Sequence, residues 1–296
     1  MRLKTWFLET RPQFLLLPVV LSILGTSMAA YEGSINWGYA VLAFVGLLLA
    51  HMSVNILNDY FDFKSGVDLE TRQTPFSGGS GILPAGEMTP KQVLWFGSVC
   101  FALILPIGIF FTVAVGWQLL PLLFIGALCI LLYTPLILKR TWPEWSPGLG
   151  LGILPVLGTY FVQTGSYSIS AVIAAIPSGI LVHNLLLLNE FPDIQADMTV
   201  RRKTLPITAG AGRAARVYSI ATVSVYVWII GAVIAGHMPV FCLISLVTLP
   251  VAIRAIRGSV HSDQIDRFLP ALGSSVLVVL ATQLLLGVGF AVAEVL

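Results

Sequence analysis

The chain has 296 residues, of which 57% are hydrophobic and only 10% charged, with a mean hydropathy of +0.91 and a formal net charge of +2. Several apolar stretches are long enough to cross about 30 Å of hydrocarbon, which excludes a soluble domain with one large core. The small net charge argues against a nucleic-acid partner, and continuous runs rich in Leu, Ile, Ala and Gly exclude the alternating segments of a membrane β-barrel.

The predicted fold class is therefore all-α: an integral membrane bundle of about nine helices, one domain over residues 1–296, in contact with the lipid bilayer. The basic start runs into an apolar segment without an A-x-A cleavage site, so no removable signal peptide is expected. Spans are predicted at about residues 14–30, 37–58, 91–113, 118–138, 147–164, 169–190, 214–236, 238–256 and 268–293. Between the second and third lies a polar connection from Asp59 to Pro90, too rich in Gly, Ser and Pro to be one helix. A connection of about thirty residues in a compact bundle is usually a lid or a binding element. Cys100, Cys129 and Cys242 fall far apart within apolar runs and read as small core residues.

With nine crossings and a cytoplasmic N-terminus, all sixteen Lys and Arg residues fall on the cytoplasmic side, as the positive-inside rule requires. The C-terminus is then expected on the opposite side. Of the acids, only Glu32 and Glu294 lie on that far side, so the acidic clusters open toward the cytoplasm together with the cationic groups.

Two clusters carry the chemistry. Residues 55–68, NILNDYFDFKSGVD, hold three aspartates and two asparagines directly after an apolar run. Ionisable groups bordering hydrocarbon are costly and mark functional sites. Asn58 and Asp62 are four apart, with Asp59 beside them and Asp68 further on. The second cluster repeats the spacing in Asn189, Asp193 and Asp197, which share one face if the helix continues through Pro192. Carboxylate and amide oxygens suit a hard divalent cation, and Mg²⁺ combines one or two carboxylates with water and a substrate phosphate. Two such clusters at one membrane edge would hold Mg²⁺ around a diphosphate, with Arg72, Lys139, Arg140, Arg201, Arg202 and Lys203 near enough in sequence to neutralise it. Taken singly the parts have plainer readings: the basic run at 201–203 as a topology signal, His51 and His183 as helix-packing hydrogen-bonders.

These paired motifs resemble those of the UbiA superfamily of intramembrane prenyltransferases. NDYFDFKSGVD, with its last Asp after a Gly, is most similar to the MenA-type branch, the 1,4-dihydroxy-2-naphthoate prenyltransferases of menaquinone synthesis. Further similarity lies in Arg11-Pro12, in Arg72 and Pro75 followed by Gly86, in Tyr133-Thr134, and in NEFPDIQAD followed by KTL at 203–205. Arg201 and Arg202 stand where the family usually has Gly-Lys, and TPLILKRTWPEW departs from its glycine-rich form.

The resemblance implies Mg²⁺-dependent transfer of a prenyl group from a polyprenyl diphosphate to an aromatic acceptor. It implies Asn58, Asp59, Asp62, Asp68, Asn189, Asp193 and Asp197 as metal ligands, with Asp62, Asp193 and Asp59 central to catalysis. Arg72, Tyr133, Lys139, Arg202 and Lys203 are the implied diphosphate contacts, and residues 76–86 a lid. Other superfamily acceptors stay open: 4-hydroxybenzoate, homogentisate, haem, a chlorophyllide or a glycerol phosphate. No protein partner is evident. From other classes, a divalent-cation transporter would place its acids near the midplane, a soluble isoprenyl diphosphate synthase needs no spans, and the D-G-x-x-A-R motif of CDP-alcohol phosphotransferases is absent.

Overall fold

The computed structural model describes residues 3–71, 73–74 and 76–296. Among these, eight helices are long and apolar enough to cross a membrane, and a shorter apolar segment, Trp117–Leu132, takes the place of the predicted span at 118–138. The chain is a multi-pass membrane protein, and every predicted span has a counterpart. Two boundaries differ from expectation, and both bear on the site.

The second span does not stop at Asn58. It begins at Asn36, whose side chain accepts from the Tyr39 N–H, and runs as one helix over Trp37–Ser65. Gly66 ends it in the left-handed region (φ 85°), a conformation that costs a residue without Cβ little. At 29 residues the helix is about 43 Å long, more than the hydrocarbon needs. Its surplus turns carry the Asn58–Asp62 motif on rigid backbone instead of in a loop.

The segment Leu120–Leu132 ends early because Pro135 disfavours helix at Thr134 and supplies no N–H. The span predicted at 169–190 ends as expected, at Asn189, short of Pro192. The condition for Asn189, Asp193 and Asp197 to share one helix face is therefore not met: a break and a short helix, Ile194–Thr199, follow Asn189.

The first and last spans, Leu16–Tyr31 and Ile265–Val295, pack along each other and close the bundle, while Trp37–Ser65 pairs with Pro90–Ala114. The largest buried cluster joins Leu21, Leu24, Tyr160, Val182, Ile229 and Leu286 from five spans. Small residues set the closest approaches, as they do where lipid offers no hydrophobic drive between helices. The span Trp145–Thr164 contains a π-helical turn at Leu149–Ile153. There a Cβ on Gly152 would stand 2.7 Å from the Ser178 carbonyl oxygen and 2.8 Å from Gly179 Cα. Gly152→Ala is therefore expected to destabilise the bundle by about 1–3 kcal/mol, the usual range for overpacking, read as a lowered melting temperature in detergent.

Candidate active site

Along Trp37–Ser65, His51, Asn55, Asn58 and Asp62 follow one another at spacings of four, three and four, which makes one stripe of the helix. All four line a single cavity of about 170 Å³. The Asn58 amide donates to Asp62 Oδ2 (3.1 Å) and to Thr134 Oγ1 (3.0 Å), fixing the carboxylate. Asp59 is one residue further on and so turns to another side of the helix. It is only 1% exposed and does not line the cavity. Its carboxylate pairs with Arg11 and accepts the Ser80 N–H (2.9 Å), tying together the N-terminal arm and the glycine-rich segment.

The second motif reaches the same cavity despite the helix break. Asp193 precedes the short helix Ile194–Thr199, and the Asp197 N–H donates to the Asp193 carbonyl (2.8 Å), so the two lie one turn apart. Asn189 faces them from the end of its own span, and all three line the cavity. Arg202 connects the motifs: Nη1 pairs with Asp197 Oδ1 (2.7 Å) and Nη2 with Asp62 Oδ1. Burial alone would weaken the guanidinium's hold on its proton, but Asp62 and Asp197 outweigh it and raise its pKa.

The cavity thus gathers Asn58, Asp62, Asp68, Asn189, Asp193, Asp197, Tyr133 and Arg202 from the predicted set. Asp59 stands behind it. Lys139 is exposed and lines, with Arg201, an outer depression that shares Asp62 and Arg202 with the cavity, and Lys203 is exposed, its backbone bonded to Leu138 and Trp142. Arg72 lies outside the described residues. Of the expected lid, Phe76, Ser77, Gly78 and Gly79 line the cavity together with Asp193. Gly79 has φ 72°, and a Cβ there would come within 3.2 Å of the Asp68 carboxylate.

Several residues without an assigned site role also belong here. Arg11 lines the cavity, its backbone left-handed at φ 53°. Glu190 lines it too, buried beside Glu144, whose carboxylate accepts the Leu205 N–H. The signal for Arg11 was present in the Arg-Pro pair. Glu190 carried one as an acid directly after Asn189.

Asn189 Oδ1 and Asp193 Oδ1 are buried with no hydrogen-bond partner, and oxygen donors from two motifs face one small volume. That donor set fits a hard divalent cation. Among the described residues no three acids, histidines or cysteines converge on one point, and Mg²⁺ usually combines one or two carboxylates with water and a substrate phosphate. Burial, then the Asp197 charge, pushes the Asp193 carboxyl up to about 7, and burial, then Asp62, pushes Asp68 up to about 6. A cation must displace those protons, so its affinity falls as pH drops through this window. Calorimetric titration with Mg²⁺ is expected to show severalfold tighter binding at pH 8 than at pH 6, with proton release at the lower pH; a flat profile would contradict it.

A second cavity, about 590 Å³, adjoins the first, and the two share His51, Ile130, Gly150 and Leu151 as lining residues. Its walls are almost wholly apolar, from Leu47, Phe101, Ile104, Phe111, Leu123 and their neighbours. The π-turn at Leu149–Ile153 places Gly150 and Leu151 at the junction.

Residues 16–271 match the UbiA prenyltransferase family. The chain is 28% identical over 269 residues to 1,4-dihydroxy-2-naphthoate octaprenyltransferase of Bacillus subtilis, covering 90% of this chain and 85% of that one. It is also 28% identical over 232 residues to digeranylgeranylglyceryl phosphate synthase of Thermococcus kodakarensis, with 73% of each chain covered. Among solved structures, a UbiA homologue from Aeropyrum pernix aligns with TM-score 0.71 at 16% identity, covering 94% of this chain and 97% of that one. A UbiA homologue from Archaeoglobus fulgidus bound to GPP and Mg²⁺ aligns with TM-score 0.63 at 14% identity, over 95% and 99% of the two chains.

Proposed function

The chain belongs to the UbiA prenyltransferase family, and from that premise we propose that it transfers a polyprenyl group from its diphosphate to 1,4-dihydroxy-2-naphthoate, with Mg²⁺. The observation that carries this is the juxtaposition of the two cavities: an acid- and arginine-lined chamber sharing four lining residues with a larger apolar one. That shape fits a molecule with one diphosphate head and a long hydrocarbon tail. Support for the naphthoate comes from the NDYFDFKSGVD spacing and from the Bacillus relative, similar over most of its length.

In the reaction, the bond between the allylic C1 and the diphosphate oxygen breaks and its electron pair leaves with the diphosphate. Ring π electrons of the acceptor then form the new carbon–carbon bond, and the ring regains aromaticity by releasing the proton or carboxyl group at the attacked carbon. Mg²⁺, when bound, supplies Lewis-acid neutralisation of the leaving oxygens. Asn58, Asp62, Asp68, Asn189, Asp193 and Asp197 would hold it. Arg202, already between Asp62 and Asp197, contributes fixed positive charge where the diphosphate charge develops. Arg11 adds a second cation on the chamber wall, and Tyr133 a hydroxyl. The apolar cavity keeps water from the allylic cation.

Residues 1–296 form one catalytic membrane domain in this reading. The distribution of Lys and Arg puts the chamber and N-terminus on the cytoplasmic side and the C-terminus opposite. A second acceptor class, an isoprenyl glyceryl phosphate, is favoured by the similarity to the Thermococcus synthase. A prenyl-transfer assay on purified protein with labelled prenyl diphosphate, with Mg²⁺ or with chelator, tests both. Prenylated naphthoquinol formed only with Mg²⁺ supports the reading. Product from the glyceryl phosphate alone would replace the acceptor, and no Mg²⁺-dependent diphosphate binding would sink the reading whole.

A further inference from the structure

Where the polar chamber meets the apolar cavity, one side chain is built for a partner that the protein itself does not supply. His51 is 2% exposed and lines both cavities. Its Nδ1 lies 3.0 Å from the Leu47 carbonyl oxygen of its own helix. A carbonyl only accepts, so Nδ1 carries the proton, and in the neutral ring Nε2 is left as an acceptor. Nε2 is buried and has no hydrogen-bond partner.

The surroundings make that lone pair stand out. Ile130, Gly150 and Leu151, which share the junction with His51, bring no polar side chain. Within the apolar cavity the other polar side chains are Thr112 and Thr159, and their hydroxyls donate to carbonyls of their own helices. One turn toward the chamber, the Asn55 amide is committed to the Thr10 carbonyl (3.1 Å). A buried acceptor left unpaired is destabilising, and a prenyl tail has no donor to relieve it.

We propose that His51 Nε2 accepts a hydrogen bond from a hydroxyl of the aromatic acceptor, fixing the ring at the mouth of the apolar cavity and selecting hydroxylated acceptors. This rests on the aromatic-acceptor reading above. The register agrees with it. His51 lies seven residues from Asn58 on the same stripe, about 10 Å deeper along the helix. That interval takes up the allylic C1 beyond the diphosphate and then the width of an aromatic ring. Selection follows because a site holding a buried acceptor discriminates against a ligand that leaves it unpaired.

The test uses the full-length protein in detergent with Mg²⁺, comparing the wild type with His51→Leu and His51→Gln. Transfer is measured against 1,4-dihydroxy-2-naphthoate and each of its monomethyl ethers, alongside binding of an unreactive prenyl diphosphate analogue. His51→Leu is expected to raise KM for the dihydroxy acceptor about tenfold or more, with His51→Gln recovering most of the loss. Affinity for the analogue is expected to stay within about twofold in both variants. Methylating the hydroxyl that meets His51 should cost the wild type the same factor and cost His51→Leu nothing further. Unchanged acceptor kinetics in His51→Leu, or a parallel fall in analogue affinity, would overturn the proposal while leaving the reaction standing. A wild type that binds the analogue but prenylates no aromatic acceptor would overturn the acceptor reading, and the role of His51 with it.

Discussion

Asp62→Ala and Asp193→Ala are each expected to lower prenyl transfer about 10³-fold, at the upper end of what one electrostatic group contributes in a preorganised site. Asp62 is held by the Asn58 amide and by Arg202, so its oxygens are positioned before any ligand arrives. Asp193 instead keeps one oxygen buried and unpartnered, and that oxygen is free to take a cation. Both losses should appear in turnover at saturating substrate, because the stabilised charge develops as the diphosphate departs. The apolar cavity shares no wall with Asp193 or Asp62, so the tail should still bind. Asp62→Asn and Asp193→Asn keep the volume and remove the charge. If either asparagine variant turned over at the wild-type rate with an unchanged Mg²⁺ requirement, that carboxylate would not serve the metal.

The bundle was legible because each span is a long apolar run punctuated by Gly, Pro or charge. The first motif was legible as chemistry but misplaced as structure: nothing in DYFDFKS opposes helix, and the stop signal is Gly66, seven residues beyond Asp59. Asp59 shows what spacing alone already contained. Adjacent residues on a helix do not share a face, so the Asn58–Asp62 stripe excludes it. In the second motif the helix breaks before Pro192, yet Asn189, Asp193 and Asp197 still line one cavity, because the short helix packs against Val67–Glu70, just beyond the Asn58–Asp62 motif. Lys139 and Lys203 are exposed and do not line the cavity, whereas Arg11, 47 residues before Asn58, reaches it through the N-terminal arm. Proximity in sequence is a poor guide to long cationic side chains. The π-turn at Leu149–Ile153 left no periodic trace, since one extra residue per turn is invisible within a run that is apolar all round.

Arg202→Leu is expected to produce two opposite effects that together identify the guanidinium as a bridge. Its side chain is 12% exposed, and those of Asp62 and Asp197 are 9% and 4%. Removing one member of so buried a group leaves uncompensated charge, a loss of about 3–5 kcal/mol. In chelator, the variant should therefore melt well below the wild type. With Mg²⁺ and a prenyl diphosphate analogue, cations again stand beside Asp62 and Asp197, and the variant should recover much of the deficit, showing a larger ligand-induced rise in melting temperature than the wild type. Turnover should nonetheless fall about 10²-fold, because the fixed positive charge facing the leaving diphosphate is gone. Arg202→Lys should rescue stability only partly, since an ammonium cannot engage two carboxylates with the geometry of a planar fork. A variant that melts with the wild type in chelator would show that the two motifs are not joined through Arg202. The convergence of Asp62 and Asp197 would then depend on backbone packing, and Arg202 would be a diphosphate contact alone.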